Sequence, residues 1–458
     1  MDLLAPFSRH IVAPLWALWE RSPYLAHYRR FLKTQYDSLE VIQKRQTEKL
    51  RPLIFHAYET CSFWKQRFDD CGVKPEEICE LSDLQKLPIL SKNDLRTHLS
   101  EMISRDYPDR SKLRKHETSG STGVSVAVYT DDACDQYKRG VTLRCDEWSG
   151  WRRGERIAAL WSLGDADSVK FNWREKLRLL LLTRYYVFLN TLSMDEDALN
   201  RFTDRMVQYP PSLIFGHAHT FYLYARFLKT RRPEVRICPK GIITTAMVLY
   251  DHERPLIEET FQCKVTNRYG CEEVSLIACE CEKHEGLHVN LDSLHVELIN
   301  FEGKPCLPGE PGRVVVTDLI NRAMPMIRYE VGDTAVWNEK SCSCGRTFPM
   351  FRQIEGRLAD YVVTQDGHYV SGISLTSYFA CMIPGFAQIQ IIQEEPDRFT
   401  FNVVKGADYT TESLRTLDEL VKKRFGDTTR HDVVFMDEIP QEASGKYRFC
   451  ISKVKKEF

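Results

Sequence analysis

From Tyr24 to about Cys71, apolar residues recur at helical spacing, with Leu39, Ile42, Leu50, Leu53, Ile54 and Ala57 among few glycines. This pattern predicts a packed helical layer near the start of the chain. The preceding stretch, Met1 to Trp19, is apolar in places but interrupted by Asp2, Arg9 and His10, and no small-residue cleavage site follows it. It reads as neither signal peptide nor membrane span. The run Leu177 to Leu189 is cut by Arg184 and is too short to cross a bilayer. Either run could lie on a surface as an amphipathic helix, and burial in the core is the expected fate of both. Further on, the short apolar runs Ile157 to Trp161, Leu213 to Gly216, Gly241 to Thr245 and Lys264 to Tyr269 are separated by helical stretches. Strands alternating with helices predict a sheet with helices on its faces. Past Tyr269 the segments His288 to Ile299 and Arg313 to Leu319 alternate between Gly and Pro turns, predicting an antiparallel β subdomain. The texture shifts again at Gly356-Arg357-Leu358. Strands at Gln388 to Gln393, Phe399 to Val404 and Val433 to Met436 and a helix bearing Leu414, Leu417, Leu420, Val421 and Phe425 then predict a compact α+β domain.

The expected fold is therefore α/β. A large N-terminal domain, 1–357, combines helix-flanked sheets with a β subdomain, and a small α+β domain, 358–458, follows. A length of 458 residues agrees with more than one core. With 63 basic and 64 acidic side chains, no global field favours a phosphate polymer or an anionic membrane, so nucleic acid is set aside. The 15 cysteines are odd in number and mostly scattered, the usage expected of reduced thiols in a cytoplasmic protein.

The densest chemistry lies in Thr118-Ser119-Gly120-Ser121-Thr122-Gly123. Glycines let a backbone curl and expose N–H donors, and hydroxyls add more, a composition suited to polyphosphate oxygens. It is not a Walker loop: the Gly-Lys-Ser/Thr ending is absent, and Val124, Val126 and Val128 alternate like a strand. On composition alone the stretch is an ordinary turn. Four further motifs follow in order: Tyr269-Gly270-Cys271-Glu272-Glu273, Arg328-Tyr329-Glu330-Val331-Gly332-Asp333, Gly356-Arg357 and Ser444-Gly445-Lys446-Tyr447-Arg448.

In this order the motifs resemble those of the adenylate-forming superfamily of acyl-CoA synthetases, and within it the phenylacetate-CoA ligase family. The resemblance runs from Leu50-Arg51-Pro52-Leu53 and Leu87-Pro88-Ile89-Leu90-Ser91-Lys92 to the final lysine motif. It implies that Thr118, Ser119, Gly120, Ser121, Thr122 and Gly123 wrap the β- and γ-phosphates of ATP, and that Glu273 holds Mg2+, a hard cation suited to a carboxylate. Tyr269 and Gly270 would lie at the adenine, with Thr244, Thr245 and Ala246 in the adenine-lining position, although the family's Gly-Ala-Glu-Pro form is not matched. Asp333 would accept from the ribose hydroxyls with Arg357 nearby, and Lys446 would bridge the substrate carboxylate and the α-phosphate. Two departures stand out. Val124-Ser125 replaces the family's Lys-Pro, and Ala359-Asp360 replaces Asp-Asp at the hinge.

The resemblance implies an AMP-forming acid–thiol ligase. A small carboxylic acid and ATP give acyl-AMP, and the acyl group then passes to coenzyme A. An amine acceptor is the alternative, as is a catalytically impaired nucleotide-binding scaffold prompted by Val124 and Ala359. A homodimer is left open. A second candidate chemistry is structural zinc, which takes four soft ligands, often two from each of two loops. Cys342-Ser343-Cys344-Gly345 supplies one pair, and Cys281 and His288 are taken as the other, from a set that also holds Cys279 and His284. For the acyl group the family position is near Trp161, His217 and His219, at strand ends where sheet ligands bind. The two histidines either recognise a polar acyl group or serve the fold.

Overall fold

A computed structural model of the chain describes residues 4–118, 126–161, 173, 177, 181–182, 185–191, 194–247, 249, 251, 253–300, 303–307, 309–355, 361–365, 369–371, 375, 378–379, 382–406, 408–439 and 450–454. The helical layer expected near the start forms from α1 (Tyr24–Thr34), α2 (Leu39–Thr60) and α3 (Ser62–Cys71). The Ser38 hydroxyl accepts from Val41 N and starts α2, and Gly72, at φ 67°, ends α3 in the left-handed conformation that glycine reaches without a Cβ penalty. Leu50, Ile54, Ala57, Trp64 and Phe68 from these helices are fully buried.

The hairpin β1 (Arg114–Thr118) and β2 (Val126–Thr130) stands next in the chain, with Thr118 paired to Val126. The hydroxyl-rich loop Ser119–Gly123 between them lies outside the described residues. Val126–Thr130 is a strand and not a helix, as the alternation predicts.

The strands β3 (Ile157–Trp161), β4 (Tyr185–Asn190), β5 (Leu213–His217), β6 (Gly241–Thr245) and β7 (Val265–Cys271) are parallel neighbours in the order β4-β3-β5-β6-β7. The near-continuous burial of β3, β5 and β6, complete in β6, is what a sheet covered on both faces requires. The expected antiparallel region is not a separate sheet. β7 pairs parallel to β6 on one edge and antiparallel to β8 (Ser275–Glu280) on the other. The sheet continues through β9 (Leu287–Val289), β13 (Met350–Glu355), β12 (Tyr329–Trp337), β11 (Pro311–Asp318) and β10 (Leu294–Ile299) to eleven strands. Alternation shows that a strand has one exposed face but says nothing of its neighbours, so this junction is a tertiary fact.

Beyond 360, β16 (Phe386–Glu395), β17 (Arg398–Lys405), β18 (Arg430–Phe435) and β19 (Cys450–Ser452) make a four-stranded sheet in the order β18-β17-β16-β19, and the pair β14 (Tyr361–Val363) and β15 (Tyr369–Ser371) precedes it. The helix Thr411–Phe425 buries Leu417, Leu420 and Val421 in a core of its own with Ile389, Phe399 and Phe401. This is the small α+β unit the sequence predicts.

One expectation fails. The run Leu4 to Trp19 is helical, but its large apolar side chains are exposed, with Leu18 at 75%. Among the described residues no helix is long and apolar enough to cross a membrane.

Candidate active site and metal centre

The turn between β7 and β8 brings Glu273 into the interior, 2% exposed. Gly270 makes that turn feasible, since a Cβ there would stand 2.5 Å from Ser275 O. Glu273 Oε1 accepts from Tyr329 Oη at 2.8 Å. Opposite, the segment ahead of the helix Lys92–Thr97 bridges to the start of β12: Leu90 N donates to Arg328 O, and Glu330 N donates to Leu90 O, both at 2.9 Å. Ser91 caps the helix by accepting from Asp94 N, and Lys92 Nζ then stands 3.9 Å from Glu273 Oε1. It also stands 3.9 Å from where a Cβ on Gly332 would be. A lysine in a first helical turn opposes the helix dipole, so the fold holds this ammonium at a modest cost.

One register further along β12, Asp333 Oδ2 accepts from Tyr269 Oη at 2.9 Å. The β1–β2 hairpin closes the group, because His116 Nδ1 lies 3.9 Å from Glu272 Oε2 and His116 Nε2 lies 2.9 Å from Thr130 Oγ1. Arg328 is held with positive φ, 52°, by a two-pronged pair with Glu297 at 3.1 Å on each arm. Ala246, after β6, has φ 65°, and such strain in a non-glycine residue tends to mark functional loops.

Thus Lys92, His116, Tyr269, Glu272, Glu273, Tyr329 and Asp333 share one neighbourhood, although they come from four separate parts of the chain. Thr244 and Thr245 lie at the end of β6, two strands from β8. Arg357 and Lys446 lie outside the described residues, as do Ser119 to Gly123.

A second cluster lies where β8 and β9 meet the loop before β13. Cys281, His288, Cys342 and Cys344 bring their ligand atoms within 4.8 Å of one another. Cys281 Sγ is 3.6 Å from Cys342 Sγ, and Cys344 Sγ is 3.4 Å from His288 Nε2. The corners of a tetrahedron drawn about zinc at thiolate distance stand roughly 3.7 Å apart, so the donor set fits that ion. Lys283 N donates to Cys281 Sγ and Arg346 N to Cys344 Sγ, each at 3.4 Å, which favours thiolate character. His288 Nδ1 donates to Phe348 O at 3.4 Å, turning Nε2 to the thiols, and burial lowers its pKa to about 4. Cys279 and His284 turn elsewhere. Cys279 Sγ donates to Glu280 O at 3.3 Å, and His284 Nδ1 lies 3.3 Å from Glu280 Oε2.

Residues 362–453 match the family described as the CapK C-terminal domain. The chain is 22% identical over 460 residues to Protein CapK of Staphylococcus aureus, covering 98% of this chain and 97% of that protein. It is 26% identical over 334 residues to the phenylacetate-coenzyme A ligase of Thermus thermophilus, 71% of this chain and 72% of that enzyme. A crystal structure of 2-hydroxyisobutyryl-CoA ligase with 2-HIB-AMP and CoA aligns over 92% of each chain, with a TM-score of 0.61 at 19% identity, a likeness of fold. These likenesses support the adenylate-forming, phenylacetate-CoA ligase-like family as the one the chain resembles.

The two histidines expected at the acyl group differ in setting. His217, 3% exposed at the end of β5, lies 4.4 Å ring to ring from Trp161, and its Nδ1 has no hydrogen-bond partner among the described residues. Burial lowers its pKa to about 4 and keeps it neutral. His219 instead pairs through Nδ1 with the fully buried Glu253. Lys92 is the residue that sequence reasoning left without a role. The signal lay in two places: the Leu87–Lys92 segment of the resemblance, and Val124 where the resemblance implies a lysine.

Proposed function

We propose that the chain condenses a small carboxylic acid with Mg2+-ATP to give an acyl-adenylate and pyrophosphate, then passes the acyl group to a nucleophile and releases AMP. The observation that carries this reading is the convergence on Glu273 of Tyr329, Lys92, the Tyr269–Asp333 pair and the hairpin that leads into the hydroxyl-rich loop. In this account Thr118 to Gly123 hold the β- and γ-phosphates and Glu273 holds Mg2+ as one hard oxygen ligand. Tyr269, Gly270 and Thr244 to Ala246 line the adenine, and Asp333 and Arg357 hold the ribose. Lys446, delivered from the C-terminal domain 358–458, neutralises the meeting carboxylate and α-phosphate. Lys92 supplies the phosphate-side cation that Val124 does not. Zinc on Cys281, His288, Cys342 and Cys344 staples two loops and takes no part in the reaction. Trp161 and His217 border the acyl group, with His219 behind them. A cytoplasmic setting suits the thiols.

Coenzyme A is the proposed acceptor, by analogy with the named ligases. An amine is the alternative acceptor, because an acyl-adenylate reacts with any nucleophile positioned beside it. The test is acid-dependent pyrophosphate release across a panel of carboxylic acids, in the parent and in Lys446→Ala. Release that vanishes in the variant supports the account. Release that survives removes Lys446 from it, and no release with any acid counts against adenylation.

A further inference from the structure

The first helical run of the chain presents its amphipathicity in reverse. Between Leu4 and Trp19, with a π-helical turn at Ser8–Val12, the residues turned to the protein are small: Ala5, Ser8, Ala13 and Ala17 are buried. Polar bonds clamp that face down. Arg9 Nε donates to Arg153 O at 2.8 Å, Arg153 Nη2 returns a bond to Arg9 O at 2.6 Å, and Arg9 pairs with Glu155 at 3.4 Å. Gly154 permits the close approach, since a Cβ there would stand 2.6 Å from Ala5 O.

Held this way, the run exposes Leu4, Phe7, Ile11, Leu15, Leu18 and Trp19, spaced as one stripe of a helix, with Leu15 at 61%. A surface helix ordinarily buries its apolar stripe, and an exposed one of this size marks a docking face. Charge indicates what docks. From residue 4 to residue 36 the chain carries Arg9, Arg21, Arg29, Arg30 and Lys33 against Glu20 alone, whereas the whole chain balances 63 basic with 64 acidic groups. Arg21, Arg29, Arg30 and Lys33 are exposed. The net charge of the chain therefore hides a local excess of cations in the segment that carries the stripe and the helix after it. Trp19, 55% exposed and edge to face with Trp16 at 5.2 Å, adds an indole of the kind favoured at the level of lipid headgroups.

We propose that this run lies in the headgroup layer of an anionic lipid bilayer and seats the protein on that surface. At about 1.5 Å per residue the run is too short to span hydrocarbon, so it lies in the plane of the interface. Leucine, isoleucine, phenylalanine and tryptophan without an exposed carboxylate among them suit acyl chains, and the flanking guanidinium and ammonium groups suit lipid phosphate.

The test is flotation of the full chain with vesicles of phosphatidylcholine alone and of phosphatidylcholine with phosphatidylglycerol at about three to one. The protein is expected to float with the anionic vesicles, less at high salt, and Leu15→Glu/Leu18→Glu is expected to lower partitioning by at least about tenfold. Circular dichroism and pyrophosphate release should match the parent, because neither residue belongs to the site around Glu273. Leu18→Ser, at the most exposed position, serves if the double variant misfolds. Failure to float with either vesicle overturns the proposal, as does equal flotation with neutral vesicles or by a folded variant. Self-association abolished by Leu15→Glu without flotation assigns the stripe to a protein contact and overturns it too.

Discussion

Lys92 offers the most direct perturbation of the proposed ATP site. Lys92→Met removes the ammonium 3.9 Å from Glu273 Oε1 and keeps most of the side-chain stem. At an effective dielectric of about 20, a charge pair at that spacing is worth roughly 4 kcal/mol before desolvation is set against it. Glu273 keeps its bond from Tyr329, so the carboxylate is not stranded and the fold should hold. If the ammonium serves phosphate oxygens that gain charge in the transition state, its loss should lower kcat/KM for ATP by about 10²- to 10³-fold. KM for the acid should move little. Lys92→Arg should recover part of the rate by keeping the charge with altered geometry. The assay is pyrophosphate release at varied ATP, with thermal unfolding as the control for folding. A change of less than about threefold in a folded variant would refute the reasoning, because a charge of that size cannot leave an ATP site so quietly.

Two further perturbations address the metal cluster and the acyl region. Cys344→Ser should leave less than one zinc per chain and lower Tm by about 2 °C, for roughly 2 kcal/mol lost from a chain of this size. Metal analysis with thermal unfolding checks it, and parent protein prepared without chelator that lacks zinc would count against the staple. For His217, whose folded pKa is about 4 against 6.5 unfolded, the unfolded chain takes up a proton first as pH falls. The stability conferred by the neutral buried ring is therefore complete above about pH 6.5 and lost towards pH 4, by roughly 3 kcal/mol. Urea unfolding of the parent and of His217→Phe at pH 7 and 4.5 checks this: the variant should show a shallower fall, and an equal fall in both removes His217 as the cause.

What could be read from the sequence follows from what local pattern encodes. Ile157 to Trp161 and Gly241 to Thr245 are strands with the limits expected, because continuous apolar runs bounded by polar residues have few other uses in a helix-flanked sheet. β12 was harder to read, since Gly332 and Asp333 interrupt its alternation, yet its pairing with β11 and β13 outweighs that local cost. Spacing alone could not choose between Cys279 and Cys281, which stand two residues apart, and only the meeting of two loops brings Cys281 to Cys342. Lys92 owes its position to a bridge from Leu90 to Tyr329, a contact between distant segments that no window of sequence contains. The run Leu4 to Trp19 shows the limit of periodicity: it marks an apolar stripe but not whether the protein lies behind it, and here Gly154 and Arg9 turn the stripe outward.

The central claim, that these segments join one ATP to a carboxylate, is tested most directly by following oxygen. With the acid that supports pyrophosphate release, labelled with oxygen-18 in its carboxylate, the account predicts that AMP isolated after acyl transfer carries one labelled oxygen from the broken acyl–phosphate link. Unlabelled AMP, or ADP and phosphate in its place, would contradict it.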